Sequence, residues 1–197
     1  QVGRHRAAQP AQAATTVAPL TMSDAQLRQL VLEHLRDIPD FPKPGVLFKD
    51  FTPLLADGDA LRAVADHVAQ RYAGRVDAVV GIEARGFILG AATAYAMGVG
   101  FVPVRKVGKL PGETYAATYT LEYGTATLEI HVDAFVDGQR VLVMDDVLAT
   151  GGTAAATCQL VEQAGGQVVA VDVVLELGFL HGRDALPGRE VFSLIVD

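Results

Sequence analysis

Cysteine is almost missing from this chain. Cys158 stands alone, so no intrachain disulfide can form and no thiolate cluster can hold a metal. Its setting, "TAAATCQLVEQAG", reads as a helix and favours plain core packing over a reactive thiol. Positive charge is also short: 16 Lys and Arg stand against 23 Asp and Glu, for a net charge of −7. That argues against a non-specific nucleic-acid binder, which needs a broad basic surface. It leaves room for an anionic small molecule, because local clusters decide that. None of His5, His34, His67, His131 and His181 has metal-ligand spacing to another. Long apolar runs are few. "GFILGAATAYAMGVGFVPV" (86–104) carries no charge, but Gly98, Gly100 and Pro103 break its second half. A buried helix followed by a buried strand is expected there, not a membrane span. These absences fit a reducing, cytoplasmic setting.

What is present suits one compact domain, since 50% of the residues are hydrophobic. Residues 1–21 are expected to be a flexible N-terminal extension without chemistry, with Met22 a natural start and 22–197 a single domain. Ser23 and Gln26 resemble a capping box ahead of the stripe Leu27, Leu30, Val31 and Leu35. The prolines of "IPDFPKPGVLFKDFTP" predict an extended, ordered loop over 38–53. Leu61, Val64, Ala65, Val68 and Tyr72 mark a second amphipathic helix. "VDAVVGI" (76–82) is a buried strand, followed by the turn "EARG", a helix from about Phe87 and a strand near 99–104. Two alternating arms, 118–121 and 125–128, predict a hairpin turning near Tyr123-Gly124. A strand at 141–144, a helix at 152–164, a strand at 168–176 and a last strand, "VFSLIV", follow. Strands alternating with helices predict an α/β domain with a mostly parallel central sheet flanked by helices.

The chemistry gathers in "VLVMDDVLATGGTAAA" (141–156). An apolar strand ends in Asp145 and Asp146, and a glycine turn follows. Ligands of open parallel sheets bind beyond the carboxyl ends of the strands. Gly151 and Gly152 allow the backbone to bend with its amides inward, above the positive end of the next helix. That is a place for a phosphate dianion. Thr150 and Thr153 add hydroxyl donors, and the two acids can accept from a vicinal pair of ribose hydroxyls. The alternative is that these residues only cap the helix. Nucleoside-triphosphate hydrolysis finds no G-x-x-x-x-G-K-[ST] loop: Gly108-Lys109 has Pro103 where the first glycine belongs. Dinucleotide binding finds no G-x-G-x-x-G.

The same stretch resembles the phosphoribosyl pyrophosphate (PRPP) signature of type I phosphoribosyltransferases. Three others narrow the resemblance to the adenine phosphoribosyltransferase family. "IPDFPKPGVLFKDFTPLL" is similar to its N-terminal base-binding segment, "GIEARGFILG" to its pyrophosphate loop, and "VRKVGKLPGETYAATYTLEYGTATLEIH" to its mobile catalytic hairpin. The resemblance covers the chain from about Leu27 onward. It implies the type I phosphoribosyltransferase fold and the conversion of adenine and PRPP to AMP and pyrophosphate, through an oxocarbenium-like transition state. It implies that Arg85, Lys106 and Lys109 bind pyrophosphate, with Arg85 also catalytic. Asp145 and Asp146 would hold the ribose, and Ala149, Thr150, Gly151, Gly152 and Thr153 the 5′-phosphate. Main chain around Leu47 and Lys49 would read adenine between Phe48 and Leu177. Glu122 would be the catalytic loop acid near the purine, with Tyr123 covering the reacting atoms. Mg²⁺ is expected on PRPP or pyrophosphate oxygens and water, with no direct protein ligand. A homodimer is expected, with no nucleic-acid or membrane partner. Transfer to another base, or a PRPP-sensing regulator without turnover, are the competing readings. The presence of both Arg85 and Glu122 argues against the regulator.

Overall fold

The computed structural model describes residues 22–120 and 124–197. Glu122, Tyr123 and the extension 1–21 therefore lie outside the described residues. The first helix, α1 (Asp24–His34), opens on the expected capping box. Ser23 Oγ accepts the Gln26 N–H at 3.3 Å, and Gln26 Oε1 accepts the Ser23 N–H at 2.9 Å.

The proline-rich stretch is more regular than an extended loop. Strands β1 (Arg36–Pro39) and β2 (Leu47–Asp50) pair antiparallel, and Thr52 already opens a short helix, α2 (Thr52–Ala56). Asp50 makes both features. It takes the Arg36 guanidinium at 2.6 Å across the strand pair and accepts the Thr52 N–H at 2.9 Å. Pro53 sits in the first helical turn, where its missing N–H costs nothing. Local proline counting cannot see that cross-strand pair.

Helix α3 (Gly58–Arg71) precedes β3 (Ala78–Ile82), α4 (Arg85–Met97) and β4 (Gly100–Lys106). The hairpin β5 (Thr114–Thr120) and β6 (Thr125–His131) follows. Then come β7 (Gln139–Leu148), α5 (Gly152–Gln163), β8 (Gly166–Glu176), two 3-10 turns (Gly178–Leu180, Gly182–Ala185) and β9 (Val191–Val196). The seven-stranded sheet runs β5-β6-β4-β3-β7-β8-β9, parallel from β4 to β9 and antiparallel within the hairpin.

Period-two alternation sends the strand side chains into two cores. Val79, Leu142, Met144, Ala170 and Val174 pack under α1, α3 and α4. Val80, Val141, Val143, Val171 and Val173 pack under α5 with the hairpin's Leu128 and Ile130. Cys158 belongs to the second core, and burial pushes its thiol up to about 11, which fits inert packing.

The topology fixes where a ligand goes. From β3 the chain crosses through α4 to β4 on one side, and from β7 it crosses through α5 to β8 on the other. The strand order reverses between β3 and β7. A crevice opens there beyond the carboxyl ends of the strands.

Candidate active site

Two helices start in this crevice, and neither is capped by a side chain. At α5 the N-cap is Gly151, with φ of 80°. At α4 the N-cap is Ala84. The helix-capping alternative for the 149–153 turn is therefore not realised: its amides remain free for an anion. Thr153 Oγ1 donates to the Tyr119 hydroxyl at 3.1 Å, which ties the hairpin to the turn. The turn is braced from behind. A Cβ at Gly151 would strike the Gly182 carbonyl, and a Cβ at Gly182 would strike the Ala149 carbonyl. Close backbone approach requires both glycines, and at Gly151 the left-handed φ adds to it.

Asp145 and Asp146 occupy the end of β7. Burial, reinforced by the neighbouring Asp146 carboxylate, pushes Asp145 well above the usual carboxylate range, with Arg85 pulling the other way. Its Oδ1 accepts the Asp146 N–H at 2.9 Å. Arg85 is the first residue of α4, two residues ahead of the predicted helix start, and its Nε lies 2.6 Å from Asp146 Oδ2. That contact is an ion pair and not an aligned hydrogen bond, so the buried Oδ2 still lacks a hydrogen-bond donor. Such an atom on a cavity wall is suited to a ligand hydroxyl. Gly86 allows the approach, since a Cβ there would lie 2.9 Å from Asp145 Oδ1 and from the Met144 carbonyl.

The basic residues sit across the crevice on β4 and its exit. Lys106 lines the same cavity as Arg85. Lys109 does not. Its ammonium is 2.8 Å from Glu83, which also takes Arg105 at 3.3 Å. Lys109, with the Lys106 N–H and Arg105, holds the Glu83 carboxyl down to about 2. The turn itself is anchored by Glu129, a buried acid on β6 that accepts the Lys109 and Leu110 N–H groups at 2.9 and 2.7 Å.

The N-terminal strands close the other side. Phe48 packs edge-on against Phe41, with ring centroids 5.0 Å apart, and the Arg85 guanidinium lies 5.2 Å from the Phe48 ring. Lys49 turns its ammonium away to Asp37 and Asp197, each at 3.1 Å. A cavity of about 370 Å³ brings Leu47, Phe48 and Lys49 together with Arg85, Lys106, Asp145, Asp146, Ala149, Thr153 and Leu177. Thr150 and Gly151 line a narrow cleft beside it with Ala149 and Thr153, and Gly152 opens α5.

Sequence reasoning missed four contributors: Glu83, Glu129, Tyr119 and Gly182. Glu83 stands inside the quoted "EARG" turn, and an acid two residues before the arginine was the available signal. The other three act through contacts distant in sequence and leave no local pattern.

Residues 53–187 match the family model described as "Phosphoribosyl transferase domain". The adenine phosphoribosyltransferase of Salinispora tropica is 61% identical over 175 residues, covering 88% of this chain and 93% of that protein. The crystal structure of adenine phosphoribosyltransferase from Thermoanaerobacter pseudethanolicus has a TM-score of 0.83 at 50% identity, covering 86% of this chain and 99% of that one. The Saccharomyces cerevisiae enzyme, complexed with an imino-altritol bisphosphate and adenine, has a TM-score of 0.81 at 42% identity, covering 86% and 99%.

Proposed function

The chain belongs to the adenine phosphoribosyltransferases, which convert adenine and PRPP to AMP and pyrophosphate, and we propose how its side chains divide that reaction. The 5′-phosphate sits on the 149–153 turn, over the uncapped start of α5. The ribose hydroxyls donate to Asp145 and Asp146, supplying the buried Asp146 oxygen with the donor it lacks. That oxygen is the single observation that carries the reading. Pyrophosphate takes the uncapped start of α4 with Arg85, and Lys106 and Lys109 reach it from the end of β4 and the turn that follows.

Adenine lies between Phe48 and Leu177. Among the described residues strand β2 pairs only with β1, so main-chain groups of its other edge are placed to accept from the 6-amino group and donate to N1. A 6-oxo purine would set like groups against each other in a dry site. Negative charge grows on the departing pyrophosphate, and fixed positive groups already aimed there lower the barrier. Glu122, which falls in sequence between β5 and β6, takes the purine's proton balance, and Tyr123 covers the reacting carbon from water.

Asp145 and Asp146 supply hard carboxylate oxygens at the cavity wall, which suits Mg²⁺ carried in on PRPP oxygens and water. Among the described residues no group of three or more His, Cys, Asp or Glu side chains is gathered as a metal cage. Bound in that way, the ion would offset charge on the leaving pyrophosphate.

A homodimer is part of the same proposal. Beyond Arg85, α4 carries no charge and leaves Ile88 and Tyr95 exposed along one face. Among the described residues no helix is long and apolar enough to cross a membrane. A cytoplasmic location is part of the proposal too.

The test is AMP formation from PRPP, with adenine, hypoxanthine and guanine run side by side. Adenine alone should turn over; comparable use of hypoxanthine would sink the base assignment. Sedimentation of the purified chain checks the dimer.

A further inference from the structure

Glu83 is an acid for which the reaction has no stated use, in the very turn that carries Arg85. A carboxylate beside a pyrophosphate subsite works against its neighbour, because like charges repel strongly in a partly desolvated site. Yet its side chain is only 11% exposed and fully engaged. It accepts from Lys109 Nζ at 2.8 Å, Arg105 Nη2 at 3.3 Å and the Lys106 N–H at 3.1 Å.

We propose that Glu83 is a positioning residue that stands in for pyrophosphate in the empty enzyme, gathering Arg105 and Lys109 at the crevice and yielding them when the anion arrives. The proposal rests on the reading of Lys109 as a pyrophosphate ligand. Glu129 makes the exchange local. It holds the Lys109 and Leu110 amides, so the ammonium can swing while the backbone of the turn stays put. The Glu83 partner that pyrophosphate must displace subtracts from its affinity in the ground state. Product release then becomes easier without touching charge stabilisation by Arg85.

The experiment is calorimetric titration of magnesium pyrophosphate into the full chain, its Glu83→Gln and Lys109→Met variants, and the double variant. Glutamine keeps the shape and an acceptor oxygen but removes the competing charge. Glu83→Gln should bind pyrophosphate about fivefold more tightly. A damaged site would not bind more tightly, so the sign separates positioning from a merely structural role. Equal or weaker affinity overturns the proposal. Lys109→Met should weaken binding, and in that background the glutamine substitution should lose most of its gain. Unaltered affinity in Lys109→Met would overturn the Lys109 reading itself. Weak Lys109→Met with unchanged Glu83→Gln would overturn the role of Glu83 alone.

Discussion

Arg85 serves two partners with one guanidinium. It sits 2.6 Å from buried Asp146 and 5.2 Å from the Phe48 ring, so it joins the end of β7 to the N-terminal strands. Replacing it with Lys keeps the charge but loses the planar face and the reach of Nε. Arg85→Lys should lower kcat/KM for PRPP by about 100-fold, measured by initial rates of AMP formation. A loss under threefold would reduce Arg85 to a bystander. Gly86 is a finer probe. Alanine there adds a Cβ 2.9 Å from Asp145 Oδ1, pressing on the acid pair without changing any charge. Gly86→Ala should raise KM for PRPP several-fold more than KM for adenine. Equal effects on both would mean that the substitution acts on the fold. At this scale the acids, the arginine and the glycine turn were legible, because strand-end chemistry leaves its mark in consecutive residues. Glu83 left only its place two residues before Arg85, and Glu129 left nothing, since an acid that holds the backbone amides of a turn distant in sequence looks like any solvated acid.

Elements were legible where one periodicity ruled and blurred where pairing across the chain decided. The strand expected at 141–144 is the part that pairs with β3, and pairing with β8 extends it to 139–148. The hairpin arms likewise lengthen to 114–120 and 125–131, because pairing with each other continues them past their alternating centre. Across 38–53, the prolines predict an extended loop where Asp50 instead ties two strands and a helix start. The bracing of the 149–153 turn is also an element-scale property. Gly182 lies some thirty residues from the turn along the chain, and only the fold brings its backbone against Ala149 and Gly151. Gly182→Ala must push that turn outward, and KM for PRPP should rise about tenfold or more, with adenine affinity less affected. Gly58→Ala is the matched control. It lies at the start of α3 with open space around it and no left-handed φ, so it should leave kinetics alone and stabilise by about 0.5–1 kcal/mol. Rates and urea midpoints of the two variants check the contrast, and a kinetically silent Gly182→Ala would remove the brace.

Across the whole molecule, the layer of helices opposite α5 is pinned by one ionic network well away from the substrate crevice. Asp172 on β8 accepts from Arg71 of α3 at 3.1 Å, and Arg71 reaches Asp24 of α1 at 3.3 Å while stacking over Phe192 of β9. His67 joins at Asp24, 2.6 Å away. Burial pushes Asp172 up from 3.8 to about 6, with Arg71 and Tyr72 pulling against it. A carboxyl that titrates higher folded than unfolded favours the folded state most when protonated. Its contribution is therefore fully present below about pH 4 and is lost as pH rises through about 6, a change of roughly 2–3 kcal/mol. Other acids run the opposite way. Asp50 and Asp77 are held down to about 2, Asp50 chiefly by the Thr52 backbone N–H and Asp77 chiefly by Arg140. Comparison with Asp172→Asn cancels those common terms and leaves the one group. The stability of the natural chain relative to Asp172→Asn should increase by roughly 2 kcal/mol or more between pH 7 and pH 4.5, read from urea unfolding at both pH values. A difference that stays constant, or shrinks on acidification, would mean that Asp172 is ionised throughout and that Arg71 fully offsets its burial.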